Sequence, residues 1–156
     1  QNRRALLDWH DDFEIRFNML AVQLYWSFHD HIVNKSNSSG FVGNIFAKGA
    51  SEVLSEDFSR QVRHPLNQQV LEAESQLRDI VSRCLPDYSK TISLNVGDVE
   101  PTLSILGNAK LRTWNIKDLL GKIESLVFSK YGIVDNQIRR SLQVTGDLLK
   151  KMEETQ

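Results

Sequence analysis

The chain of 156 residues contains few of the residues that crosslink a fold or interrupt its helices and strands: one cysteine, three prolines and eight glycines. Because Cys84 is alone, an intrachain disulfide is excluded, and we expect a cytoplasmic location, since disulfides mark oxidising compartments. Apolar runs last only a few residues, so no segment is long enough to cross a bilayer and we expect no membrane partner. The remaining composition, with 40% hydrophobic and 25% charged residues, is typical of a folded domain.

Sequence patterns of catalytic and metal sites are also missing. There is no Gly-Lys-Ser/Thr phosphate-binding loop, no G-x-S-x-G elbow and no zinc spacing of Cys and His. Two acid–histidine clusters, at residues 8–12 and 29–31, would lie about 28 Å apart on one helix, too far for a joint site. We therefore predict no catalytic residues, no metal and no cofactor, and leave open an enzyme whose site is assembled from scattered residues.

Helical spacing of apolar residues dominates what is present. A stripe at spacings of three and four over residues 6–33 predicts a long N-terminal amphipathic helix. A second helical region begins at Ser51 or Ser55, is kinked near Pro65 and ends at Pro86. The stripe of the first helix consists of Trp9, Phe13, Phe17, Leu20, Leu24, Phe28 and Ile32.

The middle of the chain changes period. Apolar and polar residues alternate at 91–96 and again at 102–105, which predicts β-strands. A tight turn then leads into residues 110–114, so we predict a small antiparallel sheet of two or three strands. Residues 116–131 and 135–153 return to helical spacing and predict two C-terminal helices. The predicted fold class is α+β, predominantly α-helical.

Positive charge is concentrated toward the C-terminal end. Residues 107–152 hold nine Lys and Arg against four Asp and Glu, a balance of +5, whereas residues 1–106 have a balance of −4. We interpret residues 1–156 as a single domain excised from a longer chain, with residues 107–152 as a candidate basic subdomain.

The segment around Gly132 resembles the recognition segment of bacterial winged-helix and helix–turn–helix regulators. The resemblance rests on Gly132, Ile138 and the pair Arg139 and Arg140. In such a unit two helices pack across a tight turn and the second enters the major groove, where Arg and Gln side chains contact base edges. The resemblance implies a DNA-binding regulator, and the alternative is two packed helices with a solvated basic face. The candidate DNA-binding residues are Lys130, Gln137, Arg139, Arg140, Lys150 and Lys151.

Our leading functional prediction is a non-enzymatic regulatory or assembly module that acts through protein–protein contacts, with a protein partner or by self-association. It depends on the aromatic side chains of the first helix, which extend the apolar surface around the helix beyond one intramolecular contact. The open alternative is that all of these aromatic residues belong to the core. The candidate interface residues are Tyr25, Trp26 and Phe28.

Overall fold

The computed structural model describes residues 1–36, 56–95, 120–121, 124 and 135–155, and the structural statements that follow concern these residues. They include four α-helices and one π-helical turn, and residues 56–58, 120, 121 and 124 are also helical. The helices are α1 (Asn2–Ser36), α2 (His64–Ser82), α3 (Pro86–Ser89) and α4 (Asp135–Glu154), and the π-helical turn is Ser59–Arg63.

The chain divides into two compact units, and α1 contributes to both of them. The first unit comprises Gln1–Met19, Leu66–Val99 and Val134–Gln156. The second unit comprises Leu20–Pro65 and Glu100–Ile133. The first unit therefore contains the N-terminal half of α1, most of α2, and α3 and α4.

The long N-terminal helix is confirmed, and its 35 residues contain neither glycine nor proline. Without these residues nothing in the local sequence interrupts the hydrogen-bond ladder. The buried stripe, however, passes through Ala21 and Tyr25, whereas Leu20 and Leu24 are only half-buried. The buried apolar positions of α1 recur at spacings of three and four and are Leu6, Trp9, Phe13, Phe17, Ala21, Tyr25, Phe28 and Ile32.

The second helical region contains the predicted irregularity near Pro65. Pro65 has no N–H to donate to the carbonyl four residues earlier, and the π-helical turn ends two residues before it. Within this turn the N–H of His64 donates to the oxygen of Ser59, five residues back. Helix α2 then runs to Ser82, and Pro86 occupies the first turn of α3, where its missing N–H costs nothing.

The first unit packs the inner faces of α1, α2 and α4 together. Trp9 stacks on Phe13 with ring centroids 5.6 Å apart, and Phe13 stacks on Phe17 at 5.1 Å. The indole Nε1 of Trp9 donates to the oxygen of Ala73 at 3.0 Å, which ties α1 to α2. Helix α4 confirms the helix predicted over 135–153, and its buried apolar residues are Ile138, Val144, Leu148 and Met152.

The second unit is organised around the ring of Phe58. The ring centroids of Tyr25 and Phe28 lie 5.8 and 5.3 Å from that of Phe58, both in edge-to-face geometry. Edge-to-face contacts place the positive edge of one ring against the negative face of another, which stabilises aromatic packing. Residues 120, 121 and 124, from the helix predicted over 116–131, are helical, and Glu124 Oε1 lies 3.0 Å from His29 Nε2.

The predicted antiparallel sheet is wrong: the described residues contain no strand. Ile92 and Leu94 are buried while Asn95 is exposed, so the period of two does reflect burial. The carbonyls of residues 92–94 and the N–H of Leu94, however, bond to side chains of α2 and α4 rather than to a neighbouring strand. The described part of the chain is accordingly predominantly α-helical. The predicted strands at 102–105 and 110–114 lie outside the described residues.

Candidate functional site

Four polar side chains of the first unit hold residues 92–94 through their main chain, and we call these side chains the clamp. Two come from α2 and two from α4, and three consecutive residues of the segment receive them. The clamp consists of Glu74, Arg78, Gln137 and Arg140.

The α2 half of the clamp is an ion pair in which each partner also bonds to the main chain of the segment. Arg78 Nη2 lies 2.7 Å from Glu74 Oε1, one helical turn away. The guanidinium also donates to the oxygen of Ile92, at 2.9 Å from Nη2 and 3.3 Å from Nε. The other carboxylate oxygen of Glu74 accepts the N–H of Leu94 at 2.9 Å. Each oxygen of the buried carboxylate thus has a hydrogen-bond partner, which offsets part of the free-energy cost of its burial.

The α4 half of the clamp consists of two of the candidate DNA-binding residues. Gln137 is 2% exposed, and its Nε2 donates to the oxygen of Leu94 at 2.7 Å. Arg140 is half-buried and donates to the oxygen of Ser93 from Nε at 3.3 Å and from Nη2 at 3.1 Å. Both side chains therefore bond to main-chain carbonyls of their own unit.

The other candidate DNA-binding residues have different environments. Arg139 and Lys150 are exposed on α4, and Lys151 places its ammonium 5.3 Å from the ring centroid of Tyr88. Positions 139 and 150 are eleven residues apart, which is close to three helical turns, so they share one side of α4. Lys130 lies outside the described residues.

The candidate interface residues of α1 divide between the core and the surface. Tyr25 and Phe28 are buried against Phe58. Burial also raises the pKa of the Tyr25 hydroxyl. Trp26 is half-buried, with its ring centroid 5.2 Å from that of His29. Of the three candidates, Trp26 is the one with surface exposed to solvent.

The most exposed large apolar side chains of α1 lie on a different side of the helix. Ile15 is 60% exposed and Met19 is 67% exposed, and one helical turn separates them. Each lies two residues, or about 200° around the helix, beyond a buried aromatic residue, Phe13 or Phe17. We call Ile15 and Met19 the outer face of α1. The described large apolar residues with strong exposure are Leu7, Ile15, Met19, Val22, Leu71 and Leu142.

Sequence reasoning missed both the α2 half of the clamp and the outer face of α1. Glu74 was detectable, because an acid lies between Ala73 and Leu77 on the apolar stripe of α2. An acid at such a position predicts a buried partner. Ile15 and Met19 were detectable as apolar residues off the main stripe of α1.

His10, Ser141 and Glu14 have the order of donors and acceptors of a hydrolytic triad. His10 Nδ1 lies 2.8 Å from Ser141 Oγ, and His10 Nε2 lies 3.4 Å from Glu14 Oε2. A neutral ring protonated at Nε2 accepts from the serine and donates to the carboxylate. Ser141, however, is 0% exposed and His10 is buried, so no substrate reaches the hydroxyl. The arrangement is a polar contact between α1 and α4.

The second unit contains a buried carboxylate surrounded by cationic groups. Asp57 accepts from Lys35 Nζ at 2.9 Å, lies 3.2 Å from His31 Nε2 and also pairs with Arg60. Burial raises the pKa of Asp57, but the hydrogen bonds from Lys35 and His31 and the charges of these two residues outweigh it. The net pKa is lowered. Asp57 is therefore an ionised anchor for the C-terminal end of α1.

The described residues offer no obvious cofactor chemistry. No group of three or more His, Cys, Asp or Glu side chains among them is placed to hold a metal ion. None of the helices in the described ranges combines the length and hydropathy needed to span a membrane. In comparisons with known proteins, no family model matches the sequence, and no curated protein or solved structure is significantly similar to it.

Proposed function

We propose that this chain is a non-enzymatic helical module that acts through protein–protein contacts, with the outer face of α1 as its contact surface. The observation that supports the proposal is the strong exposure of Ile15 and Met19 on the side of α1 opposite its aromatic core. Apolar side chains at helical spacing are the usual anchors when a helix packs against a partner. A second copy of the chain is the simplest partner to test.

Sedimentation velocity over a wide range of protein concentration tests this proposal. We expect the wild-type chain to associate and the Ile15→Ser/Met19→Ser variant to sediment as a monomer at every concentration. The matched control is Leu71→Ser/Leu142→Ser, because these leucines are 55% and 53% exposed but lie on α2 and α4. If both variants lost association equally, association would depend on exposed apolar area in general and not on the outer face of α1.

The alternative function, DNA binding through α4, stays a prediction. It is now best tested at Arg139 and Lys150, because replacing Arg140 would also remove a clamp side chain. We expect fluorescence anisotropy with mixed duplex DNA to show salt-sensitive binding that Arg139→Ala/Lys150→Ala weakens, since phosphate contacts release counterions. Absence of binding at low salt would reject the alternative.

A further inference from the structure

We propose that Met19 is a site of reversible oxidation, and that a peroxide switches off the protein contact of the outer face of α1 by converting this methionine to its sulfoxide. The inference rests on the proposed function, because it concerns the same surface, and it adds the chemistry that regulates that surface. The oxidant is a peroxide, and the reverse reaction uses a dithiol and a methionine sulfoxide reductase.

The two methionines of the chain differ in their exposure to solvent. Met19 is 67% exposed, more than any other described large apolar residue, whereas Met152 is 7% exposed and belongs to the core of the first unit. A thioether must meet the dissolved peroxide in order to react, so its oxidation depends on access from solvent. We therefore expect Met19 to react faster than Met152, and the chain has no third methionine to compete.

The reaction transfers one oxygen atom to sulfur. The sulfur of Met19 attacks one oxygen of hydrogen peroxide, the O–O bond breaks, and the other oxygen leaves as water with both protons. The thioether is oxidised to the sulfoxide and the peroxide is reduced to water. In the reverse direction the dithiol is oxidised to a disulfide, and the sulfoxide oxygen leaves as water.

Oxidation changes the contact surface and leaves the core of the unit intact. Met19 and Ile15 lie one helical turn apart on the outer face of α1, opposite the aromatic stripe. The sulfoxide replaces one of these two apolar side chains with a polar one. Its oxygen is hydrated while the chain is free and loses this water in an apolar contact, so oxidation disfavours association.

Peptide mass spectrometry after timed exposure to hydrogen peroxide tests the site. Every chain carries Cys84→Ser, because this free thiol is half-buried and is also oxidised by peroxide. At low protein concentration we expect oxygen to be added to Met19 roughly tenfold faster than to Met152, in line with their exposed fractions. Equal rates at the two methionines, or a faster reaction at Met152, would overturn the proposal.

Sedimentation velocity before and after oxidation tests the switch. We expect the oxidised chain to associate more weakly by about tenfold or more, because the contact would bury an unpaired sulfoxide oxygen. Treatment with the reductase and a dithiol should restore the original association. Met19→Leu has no thioether at this position, so its own association before treatment is the reference and peroxide should not change it. Equal weakening of Met19→Leu by peroxide would assign the effect to another group and overturn the switch.

A variant that needs no oxidant separates the polarity of the sulfoxide from other effects of peroxide. Met19→Gln places a polar amide at the same position, and glutamine forms helix about as well as methionine. We expect this variant to keep its helical circular dichroism and to associate as weakly as the oxidised chain. Association as strong as that of the wild-type chain would show that the contact accepts a polar group, against the proposal.

The dependence of the oxidation rate on protein concentration links the site to the contact. Association covers Met19, so we expect its oxidation to slow as the protein concentration rises through the range in which the chain associates. A chain that is monomeric before any treatment would reject self-association, and the switch with it. Association that depends on Ile15 and Met19 but survives oxidation of Met19 would reject the switch alone.

Discussion

The two units of this protein use buried polar groups for different purposes. In the first unit, side chains of two helices satisfy the main chain of a segment that has no regular secondary structure. In the second unit, a single carboxylate, Asp57, gathers Lys35, His31 and Arg60 around it. Similar polar residues therefore stabilise a non-helical segment in the first unit and anchor a helix end in the second.

The physical difference lies in the kind of buried polar group that needs a hydrogen-bond partner. Main-chain N–H and C=O groups cannot be neutralised, so a buried segment without a ladder needs a partner for nearly every one of them. A carboxylate can instead take up a proton, and its contribution to stability then depends on pH. We therefore expect the first unit to be sensitive to the loss of individual clamp side chains, and we expect Asp57 to make the stability of the second unit depend on pH in acid.

The largest effect should come from the aromatic core of the second unit. Phe58→Ala removes the ring that Tyr25 and Phe28 contact edge to face, and we expect a loss of about 3–5 kcal/mol in the free energy of unfolding. Urea denaturation followed by circular dichroism measures the change. Leu71→Ala, at an exposed position, is the control and should change stability little. An equal loss for both variants would contradict the assignment of Phe58 to the core.

The clamp should give the next largest effect. Glu74→Gln removes the charge that pairs with Arg78 and weakens the bond to the Leu94 N–H, so we expect a loss of about 1–3 kcal/mol. Glu72→Gln removes the same charge from an exposed position of α2 and should have little effect. Hydrogen exchange should show the loss of protection at residues 92–94. Protection unchanged there would mean that the clamp does not hold the segment.

The second unit should respond to acid through Asp57. Its lowered folded pKa, against about 3.9 in an unfolded chain, means that the carboxylate stabilises the fold above that value. The contribution is lost as the pH falls through the folded pKa. We expect Asp57→Asn to cost about 1–2 kcal/mol at neutral pH and to reduce the dependence of stability on pH in acid.

Denaturation curves at pH 7, 5 and 3 check this expectation. Glu56→Gln is the control, because Glu56 is the exposed neighbour of Asp57. Parallel pH profiles of Asp57→Asn and the wild-type chain would assign the acid sensitivity to other carboxylates.

The smallest effect should come from the contact between α1 and α4. Ser141→Ala removes one neutral hydrogen bond to His10, and we expect a loss of about 0.5–1.5 kcal/mol. Alanine is the better helix former, which reduces the observed change. Gln143→Ala, at an exposed position of α4, measures that helix-forming gain by itself. A difference of zero between the two variants would indicate that the serine contributes only packing.

Helix positions were predictable where the cause is local. The length of α1 follows from an apolar stripe without glycine or proline, and the irregular turn before α2 follows from the missing N–H of Pro65. The choice between Tyr25 and Leu24 for burial was not predictable. Both are apolar residues of the same helix, and contact with Phe58, more than thirty positions away, decides which one faces the core.

The candidate site was predictable only in part. The basic and polar character of Gln137 and Arg140 was evident, but their role depends on the carbonyls they reach. Alternation over 91–96 indicated a strand, because the pattern reports burial and carries no information about which groups satisfy the main chain. A segment whose main chain is bonded by side chains shows the same alternating pattern of burial.

The sequence by itself determined the helices, since hydrogen bonds to the residue four positions back and the effect of each proline act within a few residues. Tertiary structure decided that residues 92–94 form no strand and that Gln137 faces inward. The partners of that segment come from positions 14 to 47 residues away, on α2 and α4. A main-chain group takes whichever donor or acceptor packing brings within about 3 Å, and packing is a property of the whole fold.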